Sequence, residues 1–383
     1  MALEIIPVGG YKEVGRNCVF IKVDDEIVIL DMGLNIEKYI KYTESEDSDE
    51  FNINPETLIR HQAIPNINKF RHLLPKVKAL CVSHPHLDHL GAIPYITQSI
   101  RFPVHGTPFA IEVLKDLIYD KNRSARIKLV SHKPNAMFKI GDSITGEFVH
   151  TTHSTPHTAM IALHTKYGII VYANDFKFDN NPVLGTKPNL KRLAEFAGNV
   201  KLLIINSLYV HYDMKMPSEI IARELLKDVL LGVDSKGKNI VITTFSSHIA
   251  RLKSIVEIGR TLNRKIVFLG RSLAKYVCAA EKTGLIDFRD DVEIVKYGDK
   301  VKSKLSSIRN TEDYIFVVTG NQGEPNSVLS RMLNEHLFNF RPGDHVIFSS
   351  RTIPVPVTIE NRRVMEEELK KRKVRIFKDI NVS

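Results

Sequence analysis

Val77-Lys78-Ala79-Leu80-Cys81-Val82-Ser83 runs directly into His84-Pro85-His86-Leu87-Asp88-His89. The first seven residues read as a short buried strand, and the next six carry three imidazoles and a carboxylate. His84 and His86 are two apart at a strand end, so their side chains project to the same side. Asp88 and His89 fall where the chain turns toward a helix, expected from Gly91 to about Ser99. Packing alone would not gather such costly polar groups without partners. Two histidines joined by a more distant histidine and a carboxylate suit one zinc ion, and Asp88 with His89 suits a second. The missing ligands are sought on downstream strand ends. His153 stands in Thr152-His153-Ser154-Thr155-Pro156, with His150 and His157 as competitors, and Asp175 closes the apolar run Ile169-Ile170-Val171-Tyr172-Ala173-Asn174. His105, His132, His164 and His211 are read as ordinary surface or core residues.

Outward from this centre, the first ~35 residues of the chain are β-rich, with β-branched residues bounded by Gly and Asp turns. Residues 43–50 form an acidic run, expected to be a solvated loop. Beyond residue 200 the rhythm changes. The runs 201–206, 239–244, 265–269, 314–319 and 345–348 are apolar strands spaced by amphipathic helical segments, the pattern of a mostly parallel sheet with helices on its faces. The run Arg362 to Lys373 mixes both charges and reads as a solvated helix.

Composition sets the class. The 383 residues are 43% hydrophobic and 26% charged, too many for one ordinary core and ordinary for a globular protein. No apolar run reaches the roughly 20 residues that span a bilayer. The start, Met1 to Pro7, lacks a secretory signal's basic and apolar regions. Cys18, Cys81 and Cys278 are scattered without CxxC spacing, as buried reduced thiols of a cytoplasmic protein would be. The 54 Lys and Arg against 44 Asp and Glu give a net charge of +10, which favours anionic partners.

The motifs together resemble a known family. His84 to His89 followed by Leu90-Gly91-Ala92-Ile93-Pro94 resembles the second motif of metallo-β-lactamase-fold hydrolases. Leu30-Asp31-Met32-Gly33 is similar to the first, His153-Ser154-Thr155-Pro156 to the third, and Asn174-Asp175-Phe176-Lys177-Phe178-Asp179 to the fourth. Met216-Pro217-Ser218-Glu219, Thr243 to Arg251, Val318 to Pro325 and Ser349 to Pro354 resemble the β-CASP insertion of ribonuclease J, archaeal branch, so the likeness covers essentially the whole chain. It implies an α/β fold: a metallo-β-lactamase αββα sandwich over residues 1–200 and a β-CASP domain over 201–371. Residues 372–383 would start a return to the first domain that is cut short.

The resemblance further implies a ribonuclease with two zinc ions per chain, held by His84, His86, Asp88, His89, His153 and Asp175. Asp31 would orient ligand histidines, Asp175 would bridge the metals, and Glu219 would be the acid of the first β-CASP motif; Asp31, Asp88, Asp175 and Glu219 are the implied catalytic set. Ser246, Ser247, His248, Gly320, Gln322, Gly323 and Arg351 would contact RNA or phosphate. The implied activity is 5′-to-3′ exonucleolytic on 5′-monophosphate single-stranded RNA, with some endonucleolytic cutting, in a cytoplasmic homodimer away from membranes. Asn206-Ser207-Leu208 stands where the family often has Asp-Ser-Thr. In the resembled pattern a Val-Ser like Val382-Ser383 is followed by Gly-His-Ala and then Pro-x-His-Gly, so the second zinc site is expected to lack its C-terminal histidine here. Two other readings compete: a hydrolase of small esters or thioesters on the same metals, and a non-catalytic RNA-binding β-CASP protein.

Overall fold

The computed structural model describes residues 2–43, 53–120, 127–213, 215–296, 298–378 and 380; nearly all of the acidic run at 43–50 lies outside them. The chain divides into two compact units, Met1–Phe178 with Lys187–Met214, and Asp179–Thr186 with Lys215–Ser383.

In the first unit, β1 (Leu3–Gly9), β2 (Cys18–Val23), β3 (Glu26–Leu30), β4 (Val77–Cys81), β5 (Val104–Gly106) and β6 (Leu129–Ser131) form one sheet in that order. β1 to β3 are antiparallel, and β3 to β6 are parallel. The second sheet holds β7 (Met137–Lys139), β8 (Thr145–His150), β9 (Ala159–Thr165), β10 (Gly168–Ala173) and β11 (Val200–Ile205), ordered β11-β10-β9-β8-β7. Alternation along the strands sends one set of side chains to the middle. Val19, Ile21, Val28, Leu30 and Cys81 there meet Phe148, Ile161, Leu163 and Tyr172. The outer faces carry helices: Leu90, Ile93, Ala110 and Leu114 pack on the first sheet, and Leu193 and Phe196 on the second. This is the expected αββα sandwich.

Three details of the sequence reading change. Residues 201–206 do not open the second domain; β11 pairs in parallel with β10, and Leu202 and Ile204 pack on the inter-sheet core. The helix expected from Gly91 to Ser99 starts earlier and breaks into Leu87–Leu90, Ile93–Ile96 and a 3₁₀ turn at Thr97–Ser99. Pro94 has no N–H for the carbonyl of Leu90, which ends the first piece. Cys18 and Cys81 are buried as expected, whereas Cys278 is exposed.

The second unit holds β12 (Ile240–Thr243), β13 (Lys265–Leu269), β14 (Val292–Val295), β15 (Tyr314–Val318), β16 (His345–Phe348) and β17 (Arg375–Phe377), ordered β14-β13-β15-β12-β16-β17. Every pairing is parallel. Residues 375–377 therefore extend this sheet beside β16 instead of beginning a return to the first domain, and Ile376 packs on its core. The charged helix Pro356–Lys371 is not solvated all round. Met365 and Leu369 enter the core, Arg362 and Glu366 are buried, and the Arg362 guanidinium lies 3.2 Å from the centre of the Phe348 ring.

Candidate metal centre

The parallel pairing of β3 and β4 sets Leu30 opposite Cys81, so the residues leaving both strands emerge side by side. Asp31 takes φ 56°, a left-handed conformation that Asp tolerates better than most residues. Its Oδ1 accepts from Ser83 N–H at 2.8 Å, and its Oδ2 from Ser83 Oγ at 2.8 Å and Tyr172 Oη at 3.0 Å. The same Oδ2 lies 2.7 Å from His89 Nδ1. Asp31 is fully buried, so it orients His89 from beneath.

The turn that carries Asp88 and His89 is fixed by backbone hydrogen bonds to two neighbouring segments. Met32 N–H donates to His89 O at 2.6 Å, Leu34 N–H to Leu87 O at 2.8 Å, and Asn17 N–H to Asp88 O at 3.1 Å. Gly33 lies so close that an added Cβ would sit 1.5 Å from Asp88 O. Only glycine fits there.

Above this base the predicted ligands converge. His84 Nε2 is 3.1 Å from His86 Nδ1, which is 3.3 Å from His153 Nε2. Asp175 Oδ2 lies 3.9 Å from His84 Nε2, 3.7 Å from His153 Nε2 and 3.6 Å from His89 Nε2. His89 Nε2 is 3.3 Å from Asp88 Oδ2. Two groups result, His84–His86–His153–Asp175 and Asp88–His89–Asp175, each with donor atoms within 4.8 Å of one another. Asp175 belongs to both. Of the three histidines between 150 and 157, His153 is the one in a group among the described residues.

The electrostatics suit ligation. Burial, then the neighbouring imidazoles, holds His84 well below the usual histidine range, and burial with His86 brings His153 down to about 3. Both are therefore neutral near pH 7, the form that binds a cation. Burial would depress His89 too, but Asp88, Asp31 and Asp175 outweigh it and raise the group well above its ordinary value. These imidazoles and carboxylates, converging with no Lys or Arg ion pair to Asp88 or Asp175 among the described residues, fit a divalent metal.

Sequence reading missed Asn17, Ser83 and Tyr172. The Asn17 amide donates to Asp88 O at 3.0 Å and lies 3.5 Å from Asp88 Oδ2. Tyr172 sits in an apolar strand and reads as core; only the pairing across the sandwich shows its hydroxyl on Asp31. The unassigned histidines keep structural roles: His105 Nδ1 is 2.8 Å from His132 Nε2, and His164 Nε2 is 2.7 Å from Glu147.

Several expected second-unit residues have other work. Glu219 is not an open acid: it is buried, with its carboxylate 2.7 Å from Arg251 Nε and 3.4 Å from His248 Nε2. His248 is thereby turned inward and buried, as is Ser247 beside it. Gln322 is buried with both amide ends used, Nε2 donating to Arg351 O at 2.8 Å and Oε1 accepting from Ile353 N–H at 2.7 Å. Gly323 presses on the helix Pro356–Lys371, where a Cβ would lie 2.4 Å from Asn361 C. Gly320 has φ 124° and turns the chain out of β15. Ser246 and Arg351 remain half-buried at strand ends.

The metallo-beta-lactamase superfamily profile matches residues 11–229, and the profile described as "Ribonuclease J, beta-CASP domain" matches residues 237–365. Fold and metal-ligand geometry thus define a metallo-β-lactamase-fold hydrolase. Over its full length the chain is 40% identical to ribonuclease J of Methanocaldococcus jannaschii, covering 86% of that protein. It is 35% identical to ribonuclease J of Pyrococcus abyssi, also over its full length, covering 84% of that protein. The chain belongs to the ribonuclease J family, a family of nucleases. A crystal structure of a protein of unknown function from Enterococcus faecalis shares the fold, with TM-score 0.64 at 16% identity over 99% of this chain and 87% of that one. Among the described residues no helix is long and apolar enough to cross a membrane.

Proposed function

We propose that the protein is a zinc-dependent ribonuclease that hydrolyses RNA phosphodiester bonds, mainly as a 5′-to-3′ exonuclease on 5′-monophosphorylated single-stranded RNA. The observation that carries this reading is the sharing of Asp175 Oδ2 between the two donor groups. His84, His86, His153 and Asp175 would hold one zinc, and Asp88, His89 and Asp175 the other. Two zinc ions supply Lewis acidity toward phosphoryl oxygens and lower the pKa of water at the site. The chain's own residues do the positioning. Asp31 accepts the His89 Nδ1 proton, which leaves Nε2 facing Asp88 and Asp175. Burial of His84 and His89 excludes water from one side, so the substrate phosphate enters from the side of the partly exposed His86, His153 and Asp175. The net charge of +10 favours a polyanion over a small neutral ester.

The test is digestion of a single-stranded RNA that carries a radiolabelled 5′-monophosphate. Mononucleotide release from the 5′ end, stopped by chelator and restored by zinc, is expected. Internal fragments without mononucleotides would overturn the exonuclease assignment, and chelator-insensitive cleavage would overturn the metal.

A further inference from the structure

Asp175 uses its two oxygens differently. Oδ2 faces His84, His89 and His153, whereas Oδ1 accepts from Asn206 Nδ2 at 2.5 Å. Asn206 directly follows β11, which lies parallel to β10, so the two strands deliver both residues from the same edge. The backbone repeats the link, with Asn206 N–H donating to Ala173 O at 3.2 Å. Its side chain is itself fixed, because Oδ1 accepts from Leu208 N–H at 2.7 Å. That bond assigns the amide: its oxygen faces Leu208 and its nitrogen faces Asp175.

We infer that Asn206 is a positioning residue that engages Asp175 Oδ1 and so leaves Oδ2 as the single atom shared by the two metal groups. A neutral donor suits this task. Lys or Arg would fix the carboxylate equally well but would cancel charge needed to attract the cations. An aspartate at 206, as in the resembled pattern, could still accept from Leu208 N–H but could not donate to Asp175 when ionised. Asp88 has a comparable neutral neighbour in Asn17, so both carboxylates of the second group are flanked by carboxamides.

This inference rests on the two-metal reading, and zinc-binding calorimetry with the visible spectrum of the cobalt-substituted full chain separates the two. The parent chain is expected to take up two equivalents. Asn206→Asp keeps the turn and loses only the donor; Asn206→Ala loses both bonds. Both variants should bind the weaker equivalent about 10–100-fold less tightly, the usual effect of losing an outer hydrogen bond to a ligand, with an altered cobalt spectrum and unchanged far-ultraviolet dichroism. A parent that binds a single equivalent overturns the two-metal reading and this inference with it. A parent that binds two, matched in affinity and spectrum by Asn206→Asp, overturns this inference alone.

Discussion

Replacing Asp31 by Asn tests whether the metal centre depends on the layer beneath it. Asn is the informative variant, because it tolerates the left-handed backbone at φ 56° that Ala would strain. Asp31 accepts on one side from a fixed backbone donor, Ser83 N–H, and on the other from His89 Nδ1, Ser83 Oγ and Tyr172 Oη. An amide cannot serve both sides. If its nitrogen faces Ser83 N–H, two donors oppose each other in a fully buried place, costing ~1–3 kcal/mol. If its nitrogen faces His89, the ring must move its proton to Nε2, and the lone pair directed at Asp88 and Asp175 is lost. Either route costs about 1–3 kcal/mol, so zinc affinity should fall roughly 10–100-fold at 1.36 kcal/mol per decade. Competition with a chromophoric chelator measures the affinity, and thermal denaturation of the metal-free chains checks that the fold survives. Unchanged zinc affinity in a folded Asp31→Asn chain would refute the reasoning.

Gly33→Ala should disrupt the Asp88–His89 turn, because the new Cβ meets Asp88 O at 1.5 Å; zinc stoichiometry and melting temperature should both drop, and a variant normal in both would contradict the packing. Arg251→Leu removes the guanidinium 2.7 Å from the buried Glu219 carboxylate and should lower stability by ~3–5 kcal/mol in urea unfolding, with much of the loss recovered by adding Glu219→Leu. Strictly additive effects would show that the pair does not interact. For Glu219, burial raises the carboxyl but His248 and Arg251 outweigh it, leaving the folded group below its ordinary value. Its stabilisation is present above the unfolded value of 4.5 and lost as pH falls through the lower folded value. The urea midpoint should decline below about pH 4.5 in the parent, and less steeply in Glu219→Gln.

What the sequence disclosed follows the range of each interaction. The core strands of the second unit are continuous apolar runs, because both faces of a parallel sheet are covered, and such runs are visible without any partner. β17 was not visible: Arg375-Ile376-Phe377 is three residues long, and its assignment depends on a neighbour, β16, that comes 27 or more residues earlier. β11 was visible as a strand but not as a member of the first unit's sandwich. Nothing in Lys201-Leu202-Leu203-Ile204-Ile205 says which sheet it will extend, and only its pairing with β10 decides.

The same distinction runs through the site. Metal ligands are legible because their chemistry is costly: packing does not gather three imidazoles and a carboxylate into six residues, whereas a bound cation does. The residues that aim them are cheap ones, Ser83, Tyr172, Asn17 and Asn206, common on any strand or turn. Their roles arise from register, such as Leu30 opposite Cys81 and Ala173 opposite Ile205. Glu219 and Gln322 run in the other direction. Each is a polar residue at a motif that drew attention, and each is consumed internally, one by Arg251 and the other by the backbone at Arg351 and Ile353. A polar residue in a motif is thus available to substrate only if the fold leaves its donors and acceptors unspent. By that criterion the metal-facing atoms His84 Nε2, His86 Nδ1, His89 Nε2, His153 Nε2 and Asp175 Oδ2 differ in kind from the Gln322 amide. Within each of the two groups these atoms lie within 4.8 Å of one another, a convergence of nitrogen and oxygen ligands that one cation can bind together.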